Sequence, residues 1–240
     1  GGKRHQRRGS AAAFVAVALV WNQGTPAAKS AAKTYLILMI IAVAFLGAGM
    51  ALVGESNELP VSPLDKIAAG LLIAGFAVKL ALVPFYFWLP KVTEHSSPMT
   101  SALIISIVDI AAFCEMVHLR ITAAWVFTDY AILWLVLALL SMFGGALLAL
   151  AQKNIKRMLA FSTVDDMGYL VLGTLIGTQY GLNGAILAAL SHAFFKVLLF
   201  GAVGVAEKQL GHDLTLEDHG VAARNPYNAG VFILSAIGMI

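Results

Sequence analysis

The stretch GFAVKLALVPFYFWLPK, residues 75–91, decides how this chain is read. It is apolar almost throughout, with Lys79 in its interior and Pro84 five residues later. On a helix, the neighbours of Lys79 one turn away are Gly75, Phe76, Leu82 and Val83, so no polar face exists for the ammonium to join. A helix that is apolar all round is buried in a large core or in a bilayer. Composition decides between the two. The chain has 240 residues, is 60% hydrophobic and only 12% charged, whereas soluble domains carry about a quarter charged residues.

Outward from this stretch, apolar runs long enough to cross a hydrocarbon core of about 30 Å recur along the chain. The predicted spans are 34–53, 66–89, 98–120, 129–151, 157–177 and 183–206, with a seventh starting near 227. Unpaired backbone groups cost several kcal/mol in lipid, and no alternating barrel pattern is present, so the predicted class is all-α: a polytopic transmembrane helix bundle forming a single domain over residues 1–240. The apolar segment 11–21 is about half a span. The last segment, VFILSAIGMI, ends in mid-helix, so the sequence reads as a piece of a longer polypeptide. The basic start GGKRHQRR before an apolar run imitates a signal peptide, but no small-residue cleavage site precedes NQGTPAAKSAAK.

Loops on one side carry Lys29, Lys33, Lys91, Lys153, Lys156, Arg157, Lys208 and Arg224, against Lys66 and Arg120 on the other, which predicts that the first set faces the cytoplasm. The net charge of +3 is thus a topology signal; no basic patch interleaved with aromatics points to nucleic acid. Cys114 is the only cysteine and lies inside a span, which excludes an internal disulfide and a cysteine-ligated cluster. The longest connection, 207–226, is too short to hold a catalytic core. Any chemistry belongs in the membrane.

The ionisable residues within spans are the candidates. Lys79 is about 15 Å from either interface, too deep to snorkel, and Pro84 removes a backbone donor nearby, which predicts a break in that helix. A charge beside a broken helix is a known way to build an ion site. His192 and Lys196 are four residues apart in SHAFFK and share a helix face; imidazole titrates near neutrality, which favours a proton relay over a satisfied core histidine. Asp109 is mid-span and needs a partner or a function. Asp165 and Asp166 point about 100° apart on a helix, so one faces the interior. Glu115 and His118 are near a helix end, where snorkelling or a local i,i+3 pair explains them, and are read as structural.

Three motifs, in order, carry a resemblance. KLALVPFYFWLPKVTEHSSPMTSAL, AQKNIKRMLAFSTVDDMGYLVLG and SHAFFKVLLFGAVG resemble the K-x-P-x-x-P-F-H-x-W-L-P, Q-x-D-[IL]-K-R-x-L-A-Y-S and H-A-x-F-K-A-x-L-F stretches of the antiporter-like proton-conducting subunits of complex I (NADH:quinone oxidoreductase). The same family includes subunits of multi-subunit sodium/proton antiporters and of energy-converting hydrogenases.

The resemblance implies two inverted repeats of five helices, of which this chain would hold the later part of the first and the earlier part of the second. It implies that Lys79 is the lysine of the family's broken helix, and that His192 and Lys196 belong to the helix linking it onward. It also implies a glutamate partner for Lys79 near the chain start, where GGKRHQRRGS has none. Ala111 or Ala112 stands where many members have a lysine, Tyr86 replaces the histidine of PFH, and Asp165 and Asp166 occupy positions often filled by Ser and by Gln or His.

The expectation is a proton-translocating subunit of a complex I-like or hydrogenase-like redox-driven pump, moving protons through a buried Lys/His relay in a bacterial or archaeal cytoplasmic membrane. It would act with other membrane subunits, with no catalytic centre of its own and with no signature for nicotinamide, flavin, quinone or metal. The alternatives are a sodium/proton antiporter subunit without redox coupling, and a structural subunit whose proton path has degenerated.

Overall fold

The computed structural model describes residues 13–53 and 63–239. After a helical stretch α1 (13–21) come α2 (Pro26–Val53), α3 (Pro63–Lys79), α4 (Trp88–Glu94), α5 (Pro98–Leu103), α6 (Asp109–Thr122) and α7 (Trp125–Thr128). They are followed by α8 (Ala131–Leu150), α9 (Ile155–Ile176), α10 (Gln179–Leu210), α11 (Val221–Arg224) and α12 (Pro226–Ile237). A π-helical turn, Ile104–Val108, joins α5 to α6 as one continuous rod. Among the described residues there is no strand, only an isolated bridge between Asn154 and Thr215.

Five of these helices are long and apolar enough to cross a membrane: Pro26–Val53, Pro98–Thr122, Ala131–Leu150, Ile155–Ile176 and Gln179–Leu210. The predicted span 66–89 is an interrupted one, α3 followed by a break and α4. Two helices extend beyond their predicted spans. α2 begins eight residues before 34, because the weakly apolar AAKSAAK is a good helix former, and α10 runs from 179 to 210.

Helix boundaries follow local chemistry. Proline occupies the first turn of α5 and α12, where its missing N–H is no loss. Ser97, Asn154, Thr178 and Asn225 each accept a backbone N–H at a helix start, and Gly177 and Gly211 end α9 and α10 in the left-handed conformation.

In lipid the helices gain little from hydrophobic burial, so close packing of small residues carries association. A Cβ on Gly145 would lie 2.5 Å from the Asp165 backbone N, and one on Gly168 would lie 2.7 Å from the Ala138 carbonyl, so α8 and α9 touch backbone to backbone. α2 and α3 interlock through Gly49 against Leu72 and Gly75 against Leu46. The outer faces remain apolar, as Ile132, Phe143, Leu147 and Leu150 of α8 show.

One end of the bundle gathers charge. Lys91 donates to Ser30 and Thr34 at the start of α2, Arg157 pairs with Glu94 at 3.2 Å, and Lys153 and Lys156 pair with residues of the α10–α11 region. Arg120 lies at the other end, over the Phe127 ring.

Candidate functional site: two buried ion clusters joined by one helix

The break after Lys79 is more extensive than one proline accounts for. Helix α3 stops at Lys79, Ala81 adopts a positive φ of 51°, the Val83–Pro84 peptide is cis, and a 3-10 turn over Phe85–Phe87 leads into α4. Three carbonyls of the last helical turn are nevertheless satisfied. Phe76 O accepts from Leu80 N, Ala77 O from Leu82 N, and Val78 O from both Ala81 N and the Trp88 indole, the last at 3.0 Å. The Val83 N–H is met by the Ser141 hydroxyl at 3.0 Å. In lipid each of these groups would otherwise cost several kcal/mol. The arrangement leaves the Lys79 ammonium at a helix C-terminus, where the helix dipole favours a cation.

Lys79 is 1% exposed, and its Nζ lies 2.5 Å from Oε2 of Glu115 on α6. Glu115, read from the sequence as a local structural pair with His118, is therefore the acidic partner of the broken-helix lysine. His118 is exposed. The implied glutamate near the chain start falls on residues 1–10, outside the described residues. The pairing spans 36 residues and no short-range pattern encodes it. The available signal was that Glu115 lies inside the apolar run 98–120 with no lysine or arginine at i±3 or i±4, only His118 at i+3.

The second cluster lies between α9 and α10. Asp166 Oδ2 is 3.0 Å from His192 Nδ1 and 3.1 Å from Lys196 Nζ. Lys196 is fully buried and also donates to the Ser162 hydroxyl at 2.6 Å and the Leu159 carbonyl at 3.1 Å. The four-residue spacing of His192 and Lys196 thus delivers both to one carboxylate. Of the adjacent aspartates, Asp166 faces the cluster, while Asp165 is half-buried beside the Gly145 contact and feels the charges of Asp166 and Lys196. Ser162 went unrecognised in the sequence, since a serine in a helix has an ordinary backbone partner.

Lys79 does not join His192 and Lys196 in one pocket; its ion pair is a separate one. Helix α6 links the two. Glu115 and Asp109 are six residues apart, about 9 Å along the axis and about 120° around it. Glu115 turns to α3, and Asp109 interacts electrostatically with Lys196 and with Tyr35 of α2. Asp109 is 1% exposed, and neither of its oxygens hydrogen-bonds to another described residue. A carboxyl so placed is expensive unless it exchanges a proton or a partner. Tyr35, also buried, stacks on Trp88 at 4.9 Å, so it adjoins the helix break as well.

No group of three or more His, Cys, Asp or Glu able to hold a metal occurs among the described residues. Two lysines buried among apolar spans, each paired with a carboxylate and one of them at a helix break, define the class of polytopic membrane subunits with charged groups inside the bundle. Residues 10–240 match the family model described as NADH:quinone oxidoreductase/Mrp antiporter, TM, and the chain belongs to that family. It is 31% identical to NADH-quinone oxidoreductase subunit N of Geotalea uraniireducens, over 94% of this chain and 50% of that protein. A chain of the membrane-bound sulfane sulfur reductase, an archaeal respiratory membrane complex, superposes with a TM-score of 0.84 at 26% identity, over 94% of this chain and 49% of that one. Respiratory complex I from Thermus thermophilus contains a chain matching with a TM-score of 0.72 at 28% identity, over 94% and 51%. The chain spans about half the length of the curated relatives it matches.

Proposed function

We propose that this chain is the proton-conducting part of a membrane subunit in a complex I-like, redox-driven pump, and that protons cross it by way of the two buried clusters. The observation that carries the reading is the pair of buried lysines, Lys79 and Lys196, each held by a carboxylate and bridged by α6 through Glu115 and Asp109.

The Lys79–Glu115 pair holds the ammonium against its carboxylate, and opening the pair leaves both groups seeking other partners inside the bundle. Asp109 is placed to take up that charge, and each proton arriving near Lys196 alters the balance among Asp166, His192 and Lys196, whose titrations are coupled. Asp165 is close enough to bias the second cluster electrostatically. Pro84 and the rest of the break hold Lys79 at a helix terminus, where its pairing can change without unwinding a helix.

Moving each charge against a membrane potential costs about 2.3 kcal/mol per 100 mV, so the subunit draws energy from a redox partner or from a counter-ion gradient, and the redox-pump reading takes the former. The lysine- and arginine-rich end faces the cytoplasm by the charge rule for membrane loops. Glu115 speaks against a degenerate path, because it gives Lys79 a carboxylate partner inside the bundle.

The test is ion translocation by the full assembly in proteoliposomes, followed with a pH-sensitive dye, with Lys79→Ala against the unmodified protein. Loss of pumping in an intact assembly is the expected outcome, and unchanged pumping overturns the reading. Repeating the assay with and without sodium separates the redox pump from a sodium/proton antiporter.

A further inference from the structure

The α9–α10 seam carries a second acid–base level outside the relay. On α10, Lys196 and Glu207 are eleven residues apart and so lie on nearly the same face, about 16 Å along the axis. On α9, Lys156 lies ten residues before Asp166. The outer level is a cluster of its own: Lys156 Nζ is 2.9 Å from Asp213 Oδ1 and 3.5 Å from Glu207 Oε1. Side-chain exposure rises in steps, 4% for Lys156, 13% for Glu207 and 52% for Asp213, so the cluster leads from water into the bundle.

The loop that supplies Asp213 is pinned over the seam by Ile155 N to Leu214 O, Leu216 N to Lys153 O and Leu214 N to Glu207 Oε1. The inner level reaches back toward this one: Lys196 donates to the carbonyl of Leu159, which follows Lys156 by less than one turn of α9.

We propose that Lys156, Glu207 and Asp213 form the proton port through which the Asp166–His192–Lys196 cluster exchanges with solution at the charged end of the bundle. This rests on the relay reading above and adds its point of entry. A proton taken from water by Asp213 or Glu207 neutralises one of the carboxylates holding Lys156. The ammonium then passes its proton inward to the Asp166 carboxylate or the neutral His192 ring, and Lys156 regains one from whichever of Asp213 and Glu207 took it from water. The buried stretch between the levels, with Leu159, Leu199 and Val203, makes the step gated, because it requires the lysine to swing or water to enter.

The experiment uses the complete assembly in proteoliposomes, with Glu207→Gln and, at the more exposed position, Asp213→Asn. The expected result is a several-fold slower pumping rate with normal assembly, restored by imidazole added on the side of the 211–218 loop and not by imidazole on the other side. A slowed rate that imidazole leaves unchanged makes the cluster a structural tie for the loop and overturns the port, as does a normal rate in both variants. Lys79→Ala is run in parallel. If it pumps normally, the relay reading itself has failed; if it stops pumping while both port variants are normal, only the port is lost.

Discussion

Lys79 and Lys196 are both buried lysines with a carboxylate partner, yet the two sites are built differently. Lys79 stands at the end of a broken helix with Glu115 as its ion-pair partner. Lys196 is in mid-helix, where Asp166, Ser162 and the Leu159 carbonyl all receive its protons and His192 shares the same aspartate. A lysine with several fixed acceptors loses little when one contact changes. A lysine paired, among the described residues, with one carboxylate at a helix end is sensitive to whatever moves that partner. In the relay proposed above, the first site is therefore the one for switching and the second the one for holding and passing on charge.

That contrast can be broken most directly at the switching site. Lys79→Ala is expected to lower proton pumping by about ten-fold or more, measured by dye quenching in proteoliposomes at matched complex content. Glu115→Ala is expected to destabilise the subunit by about 3–5 kcal/mol, because it strands a buried ammonium. The double variant Lys79→Met with Glu115→Gln should melt higher in detergent than either single variant, while remaining inactive.

At the holding site, Asp166→Asn is expected to slow pumping several-fold. His192→Gln should slow it less, because the Lys196–Asp166 contact survives, so equal effects would show that the histidine is as central as the aspartate. Gly145→Ala tests the scaffold under that site: overpacking against Asp165 is expected to cost about 1–3 kcal/mol in thermal melts. Smallest of all, Lys153→Ala removes an ion pair between two well-exposed side chains, and no measurable change in melting or pumping is expected.

Hydropathy located the spans well, since crossing a bilayer leaves a long and almost chargeless record. It placed their ends less well at α2 and α10, where helix formers such as Ala and Lys continue the helix past the apolar run. The break was legible from Pro84, but its start at Lys79 depends on Ala81, Ser141 and Trp88, whose contributions are tertiary.

The site was legible where it is local. His192 and Lys196 are one turn apart, and the prediction that one of the adjacent aspartates faces inward matches Asp166. Glu115 was misread because a nearby histidine offered a sufficient local explanation, whereas its partner is on another helix. The burial of Lys156 was likewise invisible: in the sequence it is one of several lysines in a loop-side cluster, and only the fold lays Glu207 and Asp213 over it.

The indole of Trp88 has a use beyond satisfying a carbonyl. It is fully buried, stacks on Tyr35 and donates to Val78 O, the residue next to Lys79. Any rearrangement of the helix end around that lysine must alter the indole's hydrogen bond or its stacking. With Trp21, Trp125 and Trp134 replaced by phenylalanine, Trp88 would serve as an intrinsic fluorophore at the switching site, reporting during turnover on whether the two halves of the broken span move relative to each other or stay locked.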